Sequence, residues 1–291
     1  FRVLTPPPVP SGAHPLLTVA LVSDWTAPRI GGIESQIADL ASELLRRGHR
    51  VHLVSCTPGA QAPPGVQLHT VETPRVGDIA VPDLRRVGEL VRLFASLDID
   101  VIHAHGMFSP LAIGGVLAGA RAGRATVSTN HSLLRPAAVF AGAWAVFHAF
   151  SGRATAITAV SQAAARDAAN ASGRTDVQCV PNGLRLADWR VTPRPRPGIH
   201  IVSALRLAPK KAPGDLLRAV AAAAAQVPHE PVTLTVAGSG PLEDALRQDA
   251  ARLGVADRVT WLGRCSRAQV QAMLAEGTLF ALPGRTPRAG Q

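Results

Sequence analysis

Short apolar runs alternate with helical-period segments along the whole chain. Strand-like runs fall at 16–23, 50–55, 66–71, 100–105, 125–129, 156–160 and 177–180. Between the first two, Ile33, Ile37, Leu40 and Leu44 recur at the spacing of one helix face, and Gly48 after Arg46 and Arg47 supplies a stop. Strands that are apolar end to end and separated by helices predict a parallel sheet covered on both faces. After Trp189 the pattern breaks in RVTPRPRPG, which can neither continue a helix nor join a central strand. Beyond it the alternation restarts: strand 199–205, helix 215–226, strand 232–237, helix 242–253, strand 259–262, helix 267–276, strand 279–282. The expected organisation is an amino-terminal α/β domain over 1–188, a linker over 189–198, and a carboxyl-terminal α/β domain over 199–291. The last of these stops on an apolar strand with no covering helix, so the second domain is expected to be incomplete.

Length and composition agree with one and a half to two doubly wound domains: 291 residues, 47% hydrophobic, with 26 glycines and 24 prolines punctuating periodic segments. The net charge of +10 calls for an anionic partner, which could be nucleic acid, an acidic membrane surface or a phosphorylated small molecule. An aromatic content of 4% without tyrosine argues against stacked nucleic acid. Cys56, Cys179 and Cys265 are odd in number, far apart and beside strands, which reads as reduced thiols of a cytoplasmic protein. The longest apolar stretch, 136–150, holds His148 and is too short to span a bilayer. The start, FRVLTPPPVPSGAHP, has no signal-peptide core and no initiator methionine, and is expected to be the edge of a fragment.

Candidate chemistry gathers in the loops that follow strands, where open parallel sheets bind ligands. Both lysines of the chain, Lys210 and Lys211, stand with Arg206 between strand 199–205 and the next helix. A helix amino terminus already favours an anion, and two flexible cations at the same point suit a diphosphate; a merely solvated basic loop is the alternative. Gly31 and Gly32 open the first helix and would admit a phosphate or sugar to the backbone, or form a plain turn. In IHAHG, His103 reads as a core residue and His105, beside Gly106, as a site residue; two histidines on a strand without a Cys, Asp or Glu cluster do not make a metal site. Asn130 and His131 form a polar cluster after strand 125–129. Ser161 is placed to cap a helix, and Pro181, Asn182 and Gly183 to form a turn with glycine at positive φ. Gly238 and Gly240 lie between a strand and a helix, but Glu243 stands where a dinucleotide fingerprint needs its third glycine.

Taken in order, GGIESQIADLASELLRRGHRVHLVS, DIDVIHAHGMFSPLA, STNHSLL, ITAVSQAAARDAA, VQCVPNGL, LRLAPKKAPGDLLRA, VAGSGPLEDALRQDAARLGVADRVTWLG and LFALPGRTPRAG resemble the retaining family 4 glycosyltransferases of GT-B architecture. Among these the chain is similar to bacterial phosphatidylinositol mannoside mannosyltransferases. GGIESQ, HAHGMFSPLA and NHSLL are also similar to the N-acetylglucosaminyltransferase that begins GPI anchors. The resemblance implies two Rossmann-like doubly wound parallel-sheet domains facing across a cleft, the second incomplete. It implies transfer of a hexosyl group such as mannose from a nucleotide-diphospho-sugar, with retention, to an acceptor that includes lipid or glycolipid among its candidates.

By the same resemblance Arg206 and Lys211 ground the donor diphosphate, Gly238 and Gly240 lie near the base or ribose, Gly31 and Gly32 approach the donor phosphates, and His105 lies by the transferred sugar. Asn130 and His131 are the acceptor-side candidates. No cofactor and no metal are expected, because cations on the leaving diphosphate stabilise the oxocarbenium-like transition state. Leu205 and Ala212 replace two glycines usual in the family, and Lys210 is an extra charge. The family's two glutamates, eight residues apart, should begin just past Gln291, and its last helix is missing, so a chain shortened at its carboxyl end and inactive in this form is expected. A peripheral contact with an anionic inner membrane face, through Arg46, Arg47 and Arg135, is a further expectation. An epimerase or phosphorylase of the same fold and a sugar- or lipid-binding pseudoenzyme are the competing readings.

Overall fold

The computed structural model describes residues 15–29, 31–76, 79–80, 85–106, 109–133, 150 and 152–284. The chain forms two compact units, Phe1–Leu184 and Arg185–Gln291. The first contains β1 (Thr18–Ser23), α1 (Gly32–Arg46), β2 (Arg50–Ser55), β3 (Gln67–Thr70), β4 (Arg75–Val76), β5 (Ile79–Ala80), α2 (Arg85–Ser96), β6 (Val101–His105), α3 (Pro110–Arg121), β7 (Ala125–Asn130), β8 (Ala156–Ala159), α4 (Gln162–Ser172) and β9 (Gln178–Cys179). Its main sheet runs β3-β2-β1-β6-β7-β8-β9, with parallel pairing throughout; β4 and β5 form a separate antiparallel ribbon that periodicity did not announce. Ser161 accepts a hydrogen bond from the Ala164 amide, as its place before α4 led one to expect. Gly183 does not take the positive φ expected of it: 180–185 runs without regular structure, so no tight turn demands one. The apolar stretch at 136–150 lies outside the described residues except for Phe150, which is buried.

Strand alternation decides which helix covers which face. Val19 and Leu21 of β1 pack with Ile37 and Ala41 of α1, whereas Ala20 and Val22 pack with Phe94 of α2 and Leu111 and Ala118 of α3. The crossovers on either side of β1 therefore go to opposite faces, and the strand order reverses between β1 and β6. Helix α3 can lie close to the sheet because its inner face is glycine: a Cβ on Gly119 would strike the Thr126 methyl and the Ile102 side chain.

The second unit holds β10 (Ile199–Ala204), α5 (Pro213–Gln226), β11 (Val232–Ala237), α6 (Glu243–Arg252), β12 (Val259–Gly263), α7 (Arg267–Glu276) and β13 (Leu279–Phe280), with strand order β12-β11-β10-β13, all parallel. Ile201, Leu234 and Val236 pack with Leu216, Leu217, Val220 and Leu246 of α5 and α6, while Val202 and Ala237 pack with Met273 of α7. The order here reverses between β10 and β13. The apolar side chains of edge strand β13 stay about half exposed. Residues expected to form a linker are fastened to this unit, since the Arg194 and Arg196 amides donate to Ala275 and Glu276 carbonyls and the Arg196 guanidinium pairs with Glu276.

Gly119→Val is expected to destabilise the first unit by about 1–3 kcal/mol, because the added carbons have no space between helix and sheet. Urea unfolding of wild type and variant, followed by circular dichroism, measures the difference.

Candidate functional site

In the first unit, the loops after adjacent strands β1 and β6 meet where the strand order reverses, the place at which open α/β sheets bind ligands. Ser23 of β1 is level with His105 of β6. Asp24, which follows β1 directly, is 3% exposed. Its carboxylate accepts hydrogen bonds from the Leu111 and Ala112 amides at 3.3 and 3.4 Å, in the first turn of α3. Ser109, the N-cap residue of that helix, supplies no side-chain cap, so Asp24 caps it from 87 residues away. Burial pushes the Asp24 carboxyl above its ordinary range, and the two amides and the Cys56 thiol pull it back. Sequence reasoning missed Asp24; its signals were a carboxylate immediately after an entirely buried strand and a first turn of α3 without acidic residues.

His105 is 1% exposed and its Nδ1 lies 3.0 Å from His131 Nε2. The His103 ring lies alongside, 4.2 Å between centroids, with Nε2 2.7 Å from Thr129 Oγ1, which in turn is 2.7 Å from Thr158 Oγ1. Three imidazoles thus form one polar cluster across β6 and β7. Among the described residues no three His, Cys, Asp or Glu groups are placed to hold a metal ion. Burial lowers His103 to about 4, with a smaller push from His131, and lowers His131 to about 4. His105 is lowered well below its ordinary value by burial and then by its two histidine neighbours. All three are neutral near pH 7.

His105 and His131 are therefore brought into contact, while Asn130 spends its side chain on structure. Its amide donates to the Ser132 and Ala164 carbonyls, pinning the end of β7 to α4. Gly31 is the extended N-cap residue of α1. A Cβ there would strike the Glu34 carboxylate, which pairs with Arg29 at 3.0 Å; Arg29 in turn lies over the Trp25 ring. A carboxylate thus already stands at the amino end of α1, whereas the space before Gly32 is open.

In the second unit Arg206 follows β10 between buried Leu205 and Leu207, with its own side chain exposed. Lys210 and Lys211 sit on the 3-10 turn Pro209–Lys211, directly before α5. Among the described residues none of these three cations has an ion pair, in contrast to Arg218, Arg247 and Arg252 nearby, each of which pairs with an acid on its own helix. Ala212, the N-cap residue of α5, has φ 49, a left-handed conformation that costs a non-glycine residue about 1–2 kcal/mol.

Gly238 and Gly240 receive a reason here that needs no ligand. A Cβ on Gly238, which has φ 141, would run into the Leu205 carbonyl, and one on Gly240 into the Leu207 carbonyl. The two loops lie backbone to backbone, with Leu205 N donating to Ala237 O, Leu207 N to Ser239 O and Leu242 N to Leu207 O. The glycines thereby fix where Arg206 emerges.

Two parallel, doubly wound sheets with their polar loops at the strand-order reversals define a Rossmann-like α/β protein. Residues 30–188 match the model of Glycosyltransferase Family 4, residues 190–290 match that of Glycosyl transferases group 1, and the chain belongs to this glycosyltransferase family. It is 27% identical over 289 residues to the GDP-mannose-dependent alpha-(1-6)-phosphatidylinositol monomannoside mannosyltransferase of Mycolicibacterium smegmatis, covering 93% of this chain and 73% of that one. The gpi3 component of phosphatidylinositol N-acetylglucosaminyltransferase from Schizosaccharomyces pombe is 26% identical over 292 residues, covering 93% of this chain and 61% of the relative. Among solved structures, Anabaena Alr3699/HepE in complex with UDP and glucose superposes with a TM-score of 0.71 at 20% identity, covering 93% of this chain and 75% of that one. This likeness shows the GT-B fold.

The histidine cluster sets an acid limit on the first unit. Because the folded-state values lie below the unfolded value near 6.5, the unfolded chain binds more protons between pH 6.5 and about 4, so stability is lost as pH falls through that window. The expected slope is about 1.4 kcal/mol per pH unit for each neutral histidine that must charge. Urea midpoints at pH 7, 6, 5 and 4.5 test it.

Proposed function

We propose that the chain carries the donor and sugar sites of an enzyme that transfers a hexosyl group, mannose or a similar sugar, from a nucleotide-diphospho-sugar, with retention, to a lipid or glycolipid acceptor. The observation that carries this reading is the loop of Arg206, Lys210 and Lys211, three unpaired cations among the described residues, held at the amino end of α5 beside the strand-order reversal of the second unit. In such a loop the charge that develops on a leaving diphosphate is met by groups already in place. Lys211, which the family motif matches, is assigned the diphosphate together with Arg206; Gly238 and Gly240 hold the loop in place. In the first unit, His105 is assigned to the sugar, His131 to the acceptor side, where Asn130 holds the end of β7 instead of binding acceptor itself, and Gly31 and Gly32 to the donor phosphates.

The acceptor class rests on the names of the relatives, which refer to phosphatidylinositol or its monomannoside. No helix among the described residues is long and apolar enough to cross a membrane. A peripheral contact at the inner face of the cell membrane is therefore part of the reading, supported by the net charge of +10. Arg46 and Arg47 at the end of α1 both pair with Glu43, which weakens the charge they present, and Arg135 lies outside the described residues.

Titration calorimetry of the 291-residue chain with GDP-mannose and with UDP-N-acetylglucosamine tests the donor assignment. Arg206→Ala and Lys211→Ala are each expected to weaken binding at least tenfold, about 1.4 kcal/mol, and Lys210→Ala less. Wild-type affinity in both of the first two variants, or no binding of either donor by the wild type, overturns it. Sedimentation with vesicles tests the membrane contact: binding is expected with phosphatidylinositol present, absent with phosphatidylcholine alone, and weakened by salt. Salt-insensitive partitioning would count against it.

A further inference from the structure

His105 carries an unfinished hydrogen-bond account. Its Nδ1 is engaged by His131 Nε2 at 3.0 Å, but its Nε2 is buried and has no partner among the described residues. A buried polar atom left unpaired is a cost that a ligand oxygen or nitrogen would return. The chemistry that this atom offers depends on one proton. If His131 Nε2–H donates to His105 Nδ1, the free Nε2 of His105 carries hydrogen and is a donor. If His105 Nδ1–H donates to His131, the free Nε2 is an acceptor.

The two arrangements differ in intrinsic cost. The first puts both rings in the Nε2–H tautomer that a neutral histidine side chain prefers; the second forces both into the Nδ1–H form. No other described group contacts His105 Nδ1 to reverse that preference, and the His103 ring, which lies against His105, spends its Nε2 on Thr129.

We propose that His131 is a positioning residue: by donating from Nε2 it fixes His105 as a neutral Nε2–H donor, aimed at an oxygen acceptor of the substrate. This rests on the transferase reading, within which the acceptor atom is a hydroxyl oxygen of the transferred sugar. It changes the assignment of His131, which acts through His105 instead of binding acceptor itself. It also explains why the cluster can stay uncharged: a neutral donor meets a polyhydroxyl ligand without the desolvation cost of a buried cation.

The test is long-range 1H–15N correlation on the full chain labelled with 15N-histidine, assigned with His105→Gln and His131→Gln. The wild type is expected to show His105 as the Nε2–H tautomer from pH 6 to 8. His131→Phe, which removes the donor, is expected to give His105 a mixed tautomer pattern. His131→Gln, whose amide can donate from nearly the same place, is expected to restore the wild-type pattern. An Nδ1–H pattern at His105 in the wild type overturns the proposal, as does an unchanged pattern in His131→Phe. The wild-type spectrum can overturn the proposal even if a variant does not fold, and none of these readouts requires turnover, so failure of the transferase reading is seen separately in the donor titration. Where transfer is measured, His131→Phe is expected to lower kcat about ten- to a hundredfold with donor KM little changed, with recovery in His131→Gln, whereas a loss confined to acceptor KM would return His131 to the acceptor site.

Discussion

A parallel sheet whose strand order reverses cannot be roofed at the reversal. The crossover helices on either side of it leave toward opposite faces, and the strand ends between them must be finished by loops alone. In the first unit those ends belong to β1 and β6, in the second to β10 and β13. The residues that occupy them follow from the constraint. Buried backbone and side-chain polar groups there lie outside the helix and strand ladders, so they must pair with one another, with a helix end or with a ligand. Asp24 pairs with the first turn of α3, Leu205 and Leu207 pair with the glycine loop after β11, and His105 is left with one nitrogen to spare.

The two units answer the constraint with opposite electrostatics. In a chain of net charge +10, the first unit gathers three histidines that burial keeps uncharged, while the second presents Arg206, Lys210 and Lys211 on an exposed turn. A neutral polar cluster suits a sugar, whose hydroxyls need directional hydrogen bonds; unpaired cations suit a diphosphate. The division explains why overall charge pointed toward an anionic partner without showing where that partner sits.

Much of the fold was legible because its signals are local. Apolar runs bounded by helical periodicity placed β2, β11 and α7 at the residues where they occur, and the motif order led to the family. The loops after β1, β6, β10 and β11 could be picked out from position alone. Their inner arrangement could not be. Asp24 reaches α3 through a contact that no spacing rule anticipates, and the meeting of His105 and His131 depends on neighbouring strands being in register. Gly238 and Gly240 are placed near the base or ribose by resemblance alone; what fills the space before them is the backbone of another loop. Asn130 looked available because it is polar, and is occupied because it is buried.

The cap on α3 has a meaning for the order in which the first unit assembles. A helix with a local cap can begin to form as soon as its own residues exist, but the carboxylate that serves α3 lies 87 residues earlier and is buried only when β1 has paired with β6. Closing so long a loop is an entropic cost that must be met before the contact gives anything back. The cap on the first turn of α3 is therefore a long-range contact, present only where Asp24 and the start of α3 are held together by the folded unit. The strand-order reversal at the candidate site is thus also where a helix depends for its cap on a residue far from it in sequence.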